Sequence, residues 1–403
     1  MIDKKSIPRH WQLKKLDEFL IYIQPTPYIV ESIDYSDSYK TPVLTAGKSF
    51  ILGYTNEKNG IFDSLPVIIF DDFTTATKFV NFPFKVKSSA MKILKPKSEN
   101  VNLKFVFYYM QTLNIPTDTH KRFWISVYSK LPIPIPTLPE QNLIVSKIEQ
   151  LFSELDNARQ QLETAKQQLK VYRQSLLKWA FEGKLTNKNV KEGELPKGWK
   201  YLKLKDITLE KEGLRRGPFG SAIKKEFFVT NGYKVYEQGN AINNDPYRGR
   251  YFIDENKYQE LINFSVLPSD LIVSCSGVTL GRICELPNDS KPGIINQALL
   301  RIRLKKELIL NKYFVLHFRG AFFQKRIFDQ SQGTAMPNLV GIKDFKEIDM
   351  LIPPILEQEN IVSEIESRLS VADKLQESIS LCLQQTETLR QSILKKAFEG
   401  KLV

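Results

Sequence analysis

A long segment of this chain occurs twice. Residues 140–185 and 357–402 align without a gap at an offset of 217, and 22 of their 46 positions are identical. A shorter match pairs residues 7–16 with 195–204 at an offset of 188. A repeat of this length means that one structural plan is used twice. The chain of 403 residues is therefore expected to contain two related halves, each joined to a variable segment.

The repeated segment predicts a long helix with an apolar seam. In the first copy the seam follows alternating spacings of four and three through Ile144, Ile148, Leu151, Leu155, Ala158, Leu162, Ala165, Leu169, Tyr172 and Leu176. The second copy continues the pattern with Ile361, Ile365, Ala372, Leu375, Ile379, Cys382, Leu389 and Ile393. Heptad spacing favours a two-helix coiled coil over packing into a globular core. Each helix of ~40 residues would be ~60 Å long.

The ends of these helices are also marked in the sequence. Thr137 and Glu140 have the spacing of a capping box at the first helix, and Gly183 offers a stop at its end. The segment 195–348 joins the end of the first helix to the start of the second. Antiparallel helices bring those two ends together, whereas parallel helices would make the segment bridge the whole helix length.

We therefore predict an α+β fold in which two globular α/β domains are held apart by two long helices. The helices form an antiparallel coiled coil, and the whole is pseudo-twofold symmetric. The predicted domain organisation is 1–139 for the first globular domain, 140–185 for the first helix, 186–194 for a linker, 195–348 for the second globular domain and 349–403 for the second helix.

Positive charge is concentrated in the two variable domains. The formal net charge of the chain is +13, with +6 in residues 1–139 and +9 in residues 195–348. The repeated segments 140–194 and 349–403 carry +1 and −3. Charge on solvated helix faces would give the opposite distribution. Two basic domains joined by near-neutral helices indicate a polyanion bound at two places.

Other classes of protein fit the sequence poorly. The three cysteines have no paired spacing and the three histidines are scattered, which argues against a zinc site or a disulfide framework. There is no apolar run long enough for a membrane span and no secretory signal, so the expected location is the cytoplasm and no membrane partner is expected.

Enzymatic motifs are incomplete. Gly47-Lys48-Ser49 lacks the earlier glycine of a phosphate-binding loop, since Pro42 stands there. The segment 244–247 (NDPY) partly matches a methyltransferase signature, and residues 255–257 (ENK) partly match a metal-dependent nuclease. Loop surface is the favoured interpretation of both, and a DNA methyltransferase or nuclease with a divergent motif stays as the alternative function.

The chain resembles the DNA-specificity subunit of a type I restriction–modification system over essentially its whole length. The resemblance is carried by the segments before the helices, 136–145 and 356–362, and by the sequence AFEGKL that closes both copies. The second variable domain contains GPFGS at 217–221 and GTAMPNL at 333–339, which resemble strings of the family's target-recognition domains. In the first variable domain, residues 43–55 and 70–78 resemble another subclass of that domain.

The resemblance implies a non-catalytic subunit that binds double-stranded DNA. Each target-recognition domain would read one half of a bipartite, asymmetric target, and the helices would set the spacer between the halves. Two modification subunits, which methylate adenine, would dock on the helices, and two ATP-dependent restriction subunits, the translocase and nuclease, would join them. This chain would bind no cofactor, since S-adenosylmethionine, ATP and Mg²⁺ are expected on the partner subunits.

Polar and basic residues in the motif loops are the candidates for DNA contact, because lysine and arginine bind phosphates or guanine and glutamine and asparagine pair with adenine. They are Lys48, Thr74, Thr75, Lys78, Arg215, Arg216, Ser221, Lys224, Lys225, Gln238, Asn240 and Asn338. For each, solvated loop surface or a turn-stabilising hydrogen bond is the alternative. Phe219 is predicted to be a structural plug rather than a base wedge. Phe181 and Phe398 either anchor partner subunits or pack the helices onto the neighbouring domains.

Overall fold

The chain forms two compact units that share two long helices. The computed structural model describes residues 7–45, 49–113, 115, 122–187, 189–191, 194–277, 279–328 and 339–403. Unit 1 comprises Met1–Thr164 and Ile379–Val403, and unit 2 comprises Ala165–Ser378. Among the described residues, no helix is long and apolar enough to cross a membrane.

Unit 1 holds the first variable domain. Its elements, in chain order, are β1 (Gln12–Lys15), α1 (Leu16–Phe19), β2 (Leu20–Ile23), β3 (Thr41–Leu44), β4 (Ile51–Thr55), β5 (Val67–Asp71), β6 (Thr77–Val80), β7 (Lys85–Val86), β8 (Met91–Pro96), α2 (Leu103–Met110), α3 (Phe123–Ser126), β9 (Pro132–Ile135) and the long helix α4 (Leu138–Phe181). One antiparallel sheet has the order β2-β8-β5-β6, and a smaller sheet has the order β4-β3-β7. Phe70 of β5 anchors the core, with ring centroids 5.4 Å from Trp124 and 4.9 Å from Tyr128.

Unit 2 holds the second variable domain. Its elements are β10 (Lys200–Lys203), α5 (Leu204–Ile207), β11 (Leu214–Arg216), β12 (Tyr233–Tyr236), α6 (Gln238–Asn243), β13 (Phe252–Ile253), α7 (Glu255–Glu260), β14 (Ser265–Val266), β15 (Leu271–Ser274), β16 (Ile283–Glu285), β17 (Gly293–Ile295), β18 (Leu299–Ile302), α8 (Asn311–Arg319), α9 (Ala321–Phe328), α10 (Ile342–Lys346), β19 (Asp349–Ile352) and the long helix α11 (Ile355–Phe398). Two sheets of four strands have the orders β11-β18-β15-β16 and β13-β12-β17-β14. The α+β prediction is confirmed.

A two-stranded frame encloses each variable domain. In unit 1, β1 pairs with β9, with Gln12 opposite Ile135. In unit 2, β10 pairs with β19, with Lys200 opposite Ile352. These positions differ by 188 along the opening strand and by 217 along the closing strand, which are the two offsets of the sequence repeat. The repeat therefore includes the strands that hold each variable domain as well as the long helices.

One helix of each variable domain packs on a long helix in the same way. The ring of Phe398 lies 5.1 Å from Phe105 and 5.2 Å from Tyr109 of α2. The ring of Phe181 lies 5.5 Å from Tyr313 and 4.5 Å from His317 of α8. Both contacts repeat at an offset of 208 along α2 and α8, although those helices have dissimilar sequences. The variable domains differ in their strands but share this anchor.

A buried glutamine at the start of each long helix reinforces the anchor. Gln141 accepts from the backbone N–H of Asn102 at 2.9 Å and donates to the carbonyl of Pro136 at 3.1 Å. Gln358 accepts from the N–H of Leu310 at 2.8 Å and donates to the carbonyl of Pro353 at 2.9 Å. An unpaired backbone group costs free energy when buried, so these glutamines hold the loop before α2 and α8 on the long helix.

The long helices run antiparallel, as predicted. Arg173 of α4 pairs with Asp373 of α11 at 2.7 Å, and Arg390 of α11 pairs with Asp156 of α4. Within unit 2, Asn187, which follows α4, donates to Glu357 at the start of α11, so a step forward along α4 from Arg173 is a step backward along α11 from Asp373. The two pairs are equivalent under the offset of 217, so each copy of the repeat supplies the arginine of one pair and the aspartate of the other.

The predicted heptad seam holds only along part of each helix. Ile144, Ile148 and Leu176 are buried in α4, whereas Tyr172 is 41% exposed and Arg173 takes the half-buried position beside it. In α11, Leu375, Cys382 and Leu389 lie on the exposed side, which corrects the prediction for them. The residues that replace them are Leu383, Thr386, Arg390 and Leu394. Ala372, Leu383 and Leu394 are spaced by eleven, which lies closer to the period of a straight α-helix than a heptad does.

The ends of the long helices follow the sequence more closely. Gly183 and Gly400 have φ of +77° and +66°, a conformation that favours glycine, two residues after the helices end. At the start of α4 the backbone N–H of Gln141 donates to the carbonyl of Thr137 at 2.9 Å. The carboxylate of Glu140 accepts instead from the indole Nε1 of Trp11 at 2.9 Å, so it ties the helix to the opening strand.

Candidate nucleic-acid interface

Several strand ends of unit 2 meet at one edge, and the motif loops of the second variable domain start there. β12 and β17 are parallel, so their carboxyl ends lie side by side. β11 and β15 both run antiparallel to β18, which brings their ends to the start of that strand. The N–H of Gly217 donates to the carbonyl of Leu299 at 2.9 Å, and that of Leu339 donates to the carbonyl of Cys275 at 2.9 Å. We call this the reading edge of unit 2.

The string GPFGS presents an aromatic ring at the reading edge. Gly217 approaches the backbone carbonyl of Asn296 so closely that a side chain there would collide with it. Pro218 is buried, and the N–H of Ala222 donates to the carbonyl of Phe219 at 2.9 Å. The ring of Phe219 is nevertheless 90% exposed. The prediction of a structural plug is therefore wrong, because the turn is held by its backbone and the ring packs against nothing in the domain.

Arg215 and Arg216 lead directly into that turn. Both are half-buried on β11, where Arg215 lies opposite Arg301 of β18. The Nε of Arg215 is buried and has no hydrogen-bond partner among the described residues. Ser221, Lys224 and Lys225 follow the turn and are exposed. Five of the predicted residues thus lie within eleven positions along one segment that starts at the reading edge.

Charged side chains that sequence reasoning did not find link β18 to the segment just before β11. Arg303 donates from Nε and Nη2 to the carboxylate of Asp270 at 2.8 and 3.2 Å, and it also pairs with Glu212. Arg301 donates to the backbone carbonyls of Ser265 and Glu212. Burial, together with the positive charge of Arg303, lowers the pKa of Arg301 to about 10. The available signal in the sequence was the alternation of Arg301 and Arg303 with apolar residues, which places both arginines on one face of the strand.

Gln238 and Asn240 start α6 near the reading edge but differ in what they offer. Gln238 is half-buried and its amide donates to the backbone carbonyl of Ser276, which follows β15. Asn240 is only 1% exposed; it accepts from the N–H of Glu237 at 2.9 Å and donates to the carbonyls of Asp245 at 2.9 Å and Arg248. The prediction of a DNA contact is corrected for Asn240, whose amide is used in the turn. Asn338 lies outside the described residues.

In unit 1 the turn between β5 and β6 contains Thr74 and Thr75. The carboxylate of Asp71 accepts from the N–H groups of Phe73 at 2.9 Å and Thr74 at 2.8 Å. Thr75 has a φ of +58°, which is uncommon for a residue other than glycine. Thr74 is exposed, and the ring of Phe73 beside it is 42% exposed. The turn is therefore held in one conformation by the Asp71 carboxylate, and it presents the side chains of Phe73 and Thr74 to solvent.

Two motif strings of the first variable domain come together beside β6. The ammonium of Lys78 lies 5.8 Å from the ring centroid of Phe50, which precedes β4. Phe50 also lies 6.1 Å from Phe82. Phe50 belongs to the string 43–55 and Lys78 to the string 70–78, so this contact joins them. Lys48 lies outside the described residues.

The turn in unit 1 also rests on a buried ion pair that sequence reasoning missed. Asp72 and Lys92 are each 1% exposed, and their charged atoms lie 3.6 Å apart. The carboxylate of Asp72 accepts from the N–H of Trp124 at 2.8 Å, and the N–H of Phe123 donates to the carbonyl of Asp72 at 2.9 Å. These hydrogen bonds of Asp72 fix the turn to α3, and its ion pair with Lys92 fixes the turn to β8. Lys92 and Lys95 lie on opposite faces of β8, so the sequence did not indicate which of them would be buried.

The residues of the enzymatic alternative take part in turns and surface contacts. Asn244 ends α6 in a left-handed conformation and accepts from Arg319 at 2.9 Å. The carboxylate of Asp245 accepts from the N–H groups of Tyr247 and Arg248 at 3.0 and 3.1 Å. Glu255 accepts from Gln259 at 2.7 Å on the surface of α7. Within the described part of the chain, no group of three His, Cys, Asp or Glu side chains is placed to hold a metal ion.

Phe181 and Phe398, the predicted anchors for partner subunits, both pack inside their own units. Phe398 is fully buried and Phe181 is half-buried against α8. This is the second of the two roles that the sequence allowed. A ring that is buried against its own domain does not offer a surface to another subunit, so the prediction of a partner contact is corrected for Phe398.

Comparisons with known proteins agree on one family. The model of the type I restriction modification DNA specificity domain matches residues 8–167 and 196–380. The type I restriction enzyme EcoR124I/EcoR124II specificity subunit of Escherichia coli is 54% identical over 137 residues, which cover 32% of this chain and 34% of that protein. The StySPI specificity subunit of Salmonella potsdam is 28% identical over 281 residues, covering 68% of this chain and 58% of the relative. The matched regions thus span less than two thirds of both relatives.

A solved structure shows the same fold. The HsdS subunit from Thermoanaerobacter tengcongensis aligns with a TM-score of 0.61 at 17% identity, over 98% of this chain and 98% of that chain. At this level of identity the likeness concerns the fold.

Proposed function

This chain belongs to the type I restriction–modification DNA specificity family, and from that premise we propose that it is the non-catalytic subunit that reads DNA for such a system. Each variable domain, hereafter a recognition domain, reads one half of a bipartite and asymmetric target. The two long helices set the spacer between the halves and dock the modification subunits.

One observation carries the proposal. The frame strands, the anchoring helices α2 and α8 and the arginine–aspartate pairs repeat between the units, whereas the strands inside the frames do not. Selection for stability alone gives no reason to keep two different domains in identical frames. Two readers of two different half-sites give such a reason, because unlike sequences require unlike contacts.

The chemistry of the recognition domains supports a polyanionic ligand. They hold the positive charge of the chain, and the long helices are nearly neutral. Each domain carries basic side chains beside an ordered turn, with Lys78 near the turn of unit 1 and Lys224 and Lys225 after the turn of unit 2. Cations bind phosphates and fix the register, and polar side chains at the turn read base edges.

We also propose the partners. Two modification subunits, which bind S-adenosylmethionine, dock on the long helices, and two restriction subunits, which use ATP and Mg²⁺, complete the complex. This chain itself holds none of these cofactors. Exposed apolar side chains along α4 and α11, such as Val171 and Leu381, are compatible with further helices packing there.

The test is to purify this chain together with the modification subunits of its own system and to measure the DNA sequence that the complex recognises. Methylated adenines, mapped in DNA from cells that carry the system, should define two unlike half-sites at a fixed spacing. The purified complex should bind that sequence tightly and specifically. Equal binding to all duplexes at moderate salt would refute the proposal, and methyl transfer by this chain alone would favour the enzymatic alternative.

A matched pair of variants sharpens the test. Lys224→Ala with Lys225→Ala should weaken binding to specific and non-specific DNA alike, and should reduce the slope of log affinity against log salt by roughly 1 to 2. Lys305→Ala with Lys306→Ala is the control, because these lysines follow the other end of β18 and lie away from the reading edge. Equal salt slopes in the two double variants would remove Lys224 and Lys225 from the interface.

A further inference from the structure

The exposed ring of Phe219 is the least explained feature of unit 2. Its exposure of 90% is the highest among the large hydrophobic side chains of the described residues. Burying a phenylalanine side chain stabilises a protein, and this exposed ring adds little of that stabilisation to the fold. Single exposed apolar side chains are common on protein surfaces, so the role of this ring depends on how it is held and on which side chains surround it.

The position of the ring is fixed by its backbone. Gly217 donates to the carbonyl of Leu299 and lies against the carbonyl of Asn296, so the turn begins on the sheet. The carbonyls of Phe219 and Gly220 accept from the N–H groups of Ala222 at 2.9 Å and Ile223 at 3.4 Å. Pro218 restricts φ directly before the ring. An aromatic side chain on a pre-organised turn loses little conformational freedom when it binds.

The surroundings of the ring decide which molecule it would contact. Arg215 and Arg216 precede it, Lys224 and Lys225 follow it, and the buried Nε of Arg215 has no partner in the described part of the chain. Such a cationic border attracts phosphates and disfavours an apolar protein surface. An apolar ring between phosphate-binding side chains can insert between base pairs or stack on an unstacked base.

We propose that Phe219 is the wedge of the second recognition domain, which inserts beside the bases of its half-site while the flanking cations hold the phosphates. The inference rests on the proposed function and adds a residue and a mode of contact to it. The free energy needed to deform the DNA is smaller where the bases unstack more easily. The wedge therefore contributes to specificity through the deformability of the half-site.

The experiment uses the complex of the full chain with its modification subunits and its mapped target. 2-Aminopurine replaces successive bases of the half-site, since its fluorescence rises when it is unstacked. Apart from the adenines that the modification subunits flip out for methylation, the wild-type complex should raise the fluorescence at one position of one half-site. Phe219→Ala should abolish that rise and weaken specific binding roughly 5- to 140-fold, as expected for the loss of one base–aromatic stack. Phe219→Leu should keep part of both effects, because leucine is also an apolar wedge.

Tyr201→Ala is the matched control. Tyr201 is an exposed aromatic residue of the same unit, at 64%, but it lies on the frame strand β10. Tyr201→Ala should leave the fluorescence profile of both half-sites unchanged. Phe219→Ala should leave the profile of the other half-site unchanged. Specific binding by the wild-type complex with an unchanged profile and affinity for Phe219→Ala would overturn the wedge and leave the proposed function intact. A wild-type complex without sequence preference would overturn both.

Discussion

His317 occupies a place in unit 2 where a charge is strongly disfavoured. Its ring lies 4.5 Å from Phe181 and 5.6 Å from Phe323, and it is 6% exposed. Burial, together with the positive charge of Arg326, lowers the pKa of His317 to about 3. The equivalent residue in unit 1 is Tyr109, which packs on Phe398 in the same way. The position therefore requires an aromatic ring and not a proton acceptor.

This arrangement predicts an acid sensitivity that one substitution removes. Between the unfolded pKa of about 6.5 and the folded pKa of about 3, the unfolded chain binds the additional proton, so stability falls as pH falls below about 6.5. At pH 5 the loss from this residue is about 2 kcal/mol. His317→Phe should lose less stability than the wild type between pH 7.5 and pH 5 in urea unfolding. Parallel losses in both proteins would show that His317 does not contribute.

Sequence reasoning located the candidate interface better than it identified the residues that act in it. The reading edge holds Gly217 of the string GPFGS and the basic residues around it, and Gln238 lies near it. Asn240 has the same chemical type as a base-reading side chain, but its amide is used by three backbone groups. Burial decides between these roles, and burial depends on how distant strands pair, which the local sequence does not contain.

The elements show the same division between local and distant information. The apolar run Leu271–Ser274 forms the strand β15, as its local sequence favours, whereas the helical segment that begins at Asn311 is interrupted at Gly320 to give α8 and α9. The antiparallel pairing of the long helices followed from the chain path. The exposed positions in α11 could not be predicted from the spacing of apolar residues. Arg173 and Arg390 lie on the seam because each pairs with an aspartate of the other helix, and that pairing depends on contacts across the two helices.

At the scale of the helices, matched insertions should lengthen the DNA spacer. A heptad inserted between residues 160 and 161 of α4, with another at the facing position between 385 and 386 of α11, adds ~10 Å while preserving the seam. We expect the distance between the two methylated half-sites to grow by roughly 3 base pairs at 3.4 Å each. The same mapping of methylated adenines measures it.

Insertion into one helix alone is the control for this experiment. It shifts the register on one side of the insertion, so Arg390 and Arg173 can no longer both meet their aspartates. That variant should lose stability and target binding together. An unchanged spacer in the doubly extended chain, with target binding retained, would show that the helices do not set the distance.

At the scale of the whole chain, the end of a long helix contacts the start of a frame strand in both units, but only in unit 2 does a short linker join the two. In unit 2, Gly183 packs against Pro196 and Trp199, and residues 184–195 connect them. In unit 1 the equivalent Gly400 packs against Pro8 and Trp11 in the same way. The end of α11 and the opening strand of unit 1 are therefore neighbours, although they lie at opposite ends of the sequence. Neither frame depends on which of its two connections is covalent.

A circular permutation should consequently preserve both units. Joining residue 403 to residue 1 through two glycines gives 12 residues between Gly400 and Pro8, the same number as between Gly183 and Pro196. The new chain would start at Lys191 and end at Val190, between the repeated segment 140–185 and the repeated segment 195–204. We expect its thermal unfolding and its methylated target to match those of the wild type, because every frame contact is kept. A permutation opened inside α4, at residue 160, is the control and should lose both, since it cuts a helix that the two units share. Failure of the first permutant to fold would mean that the linker 184–195 does more than connect.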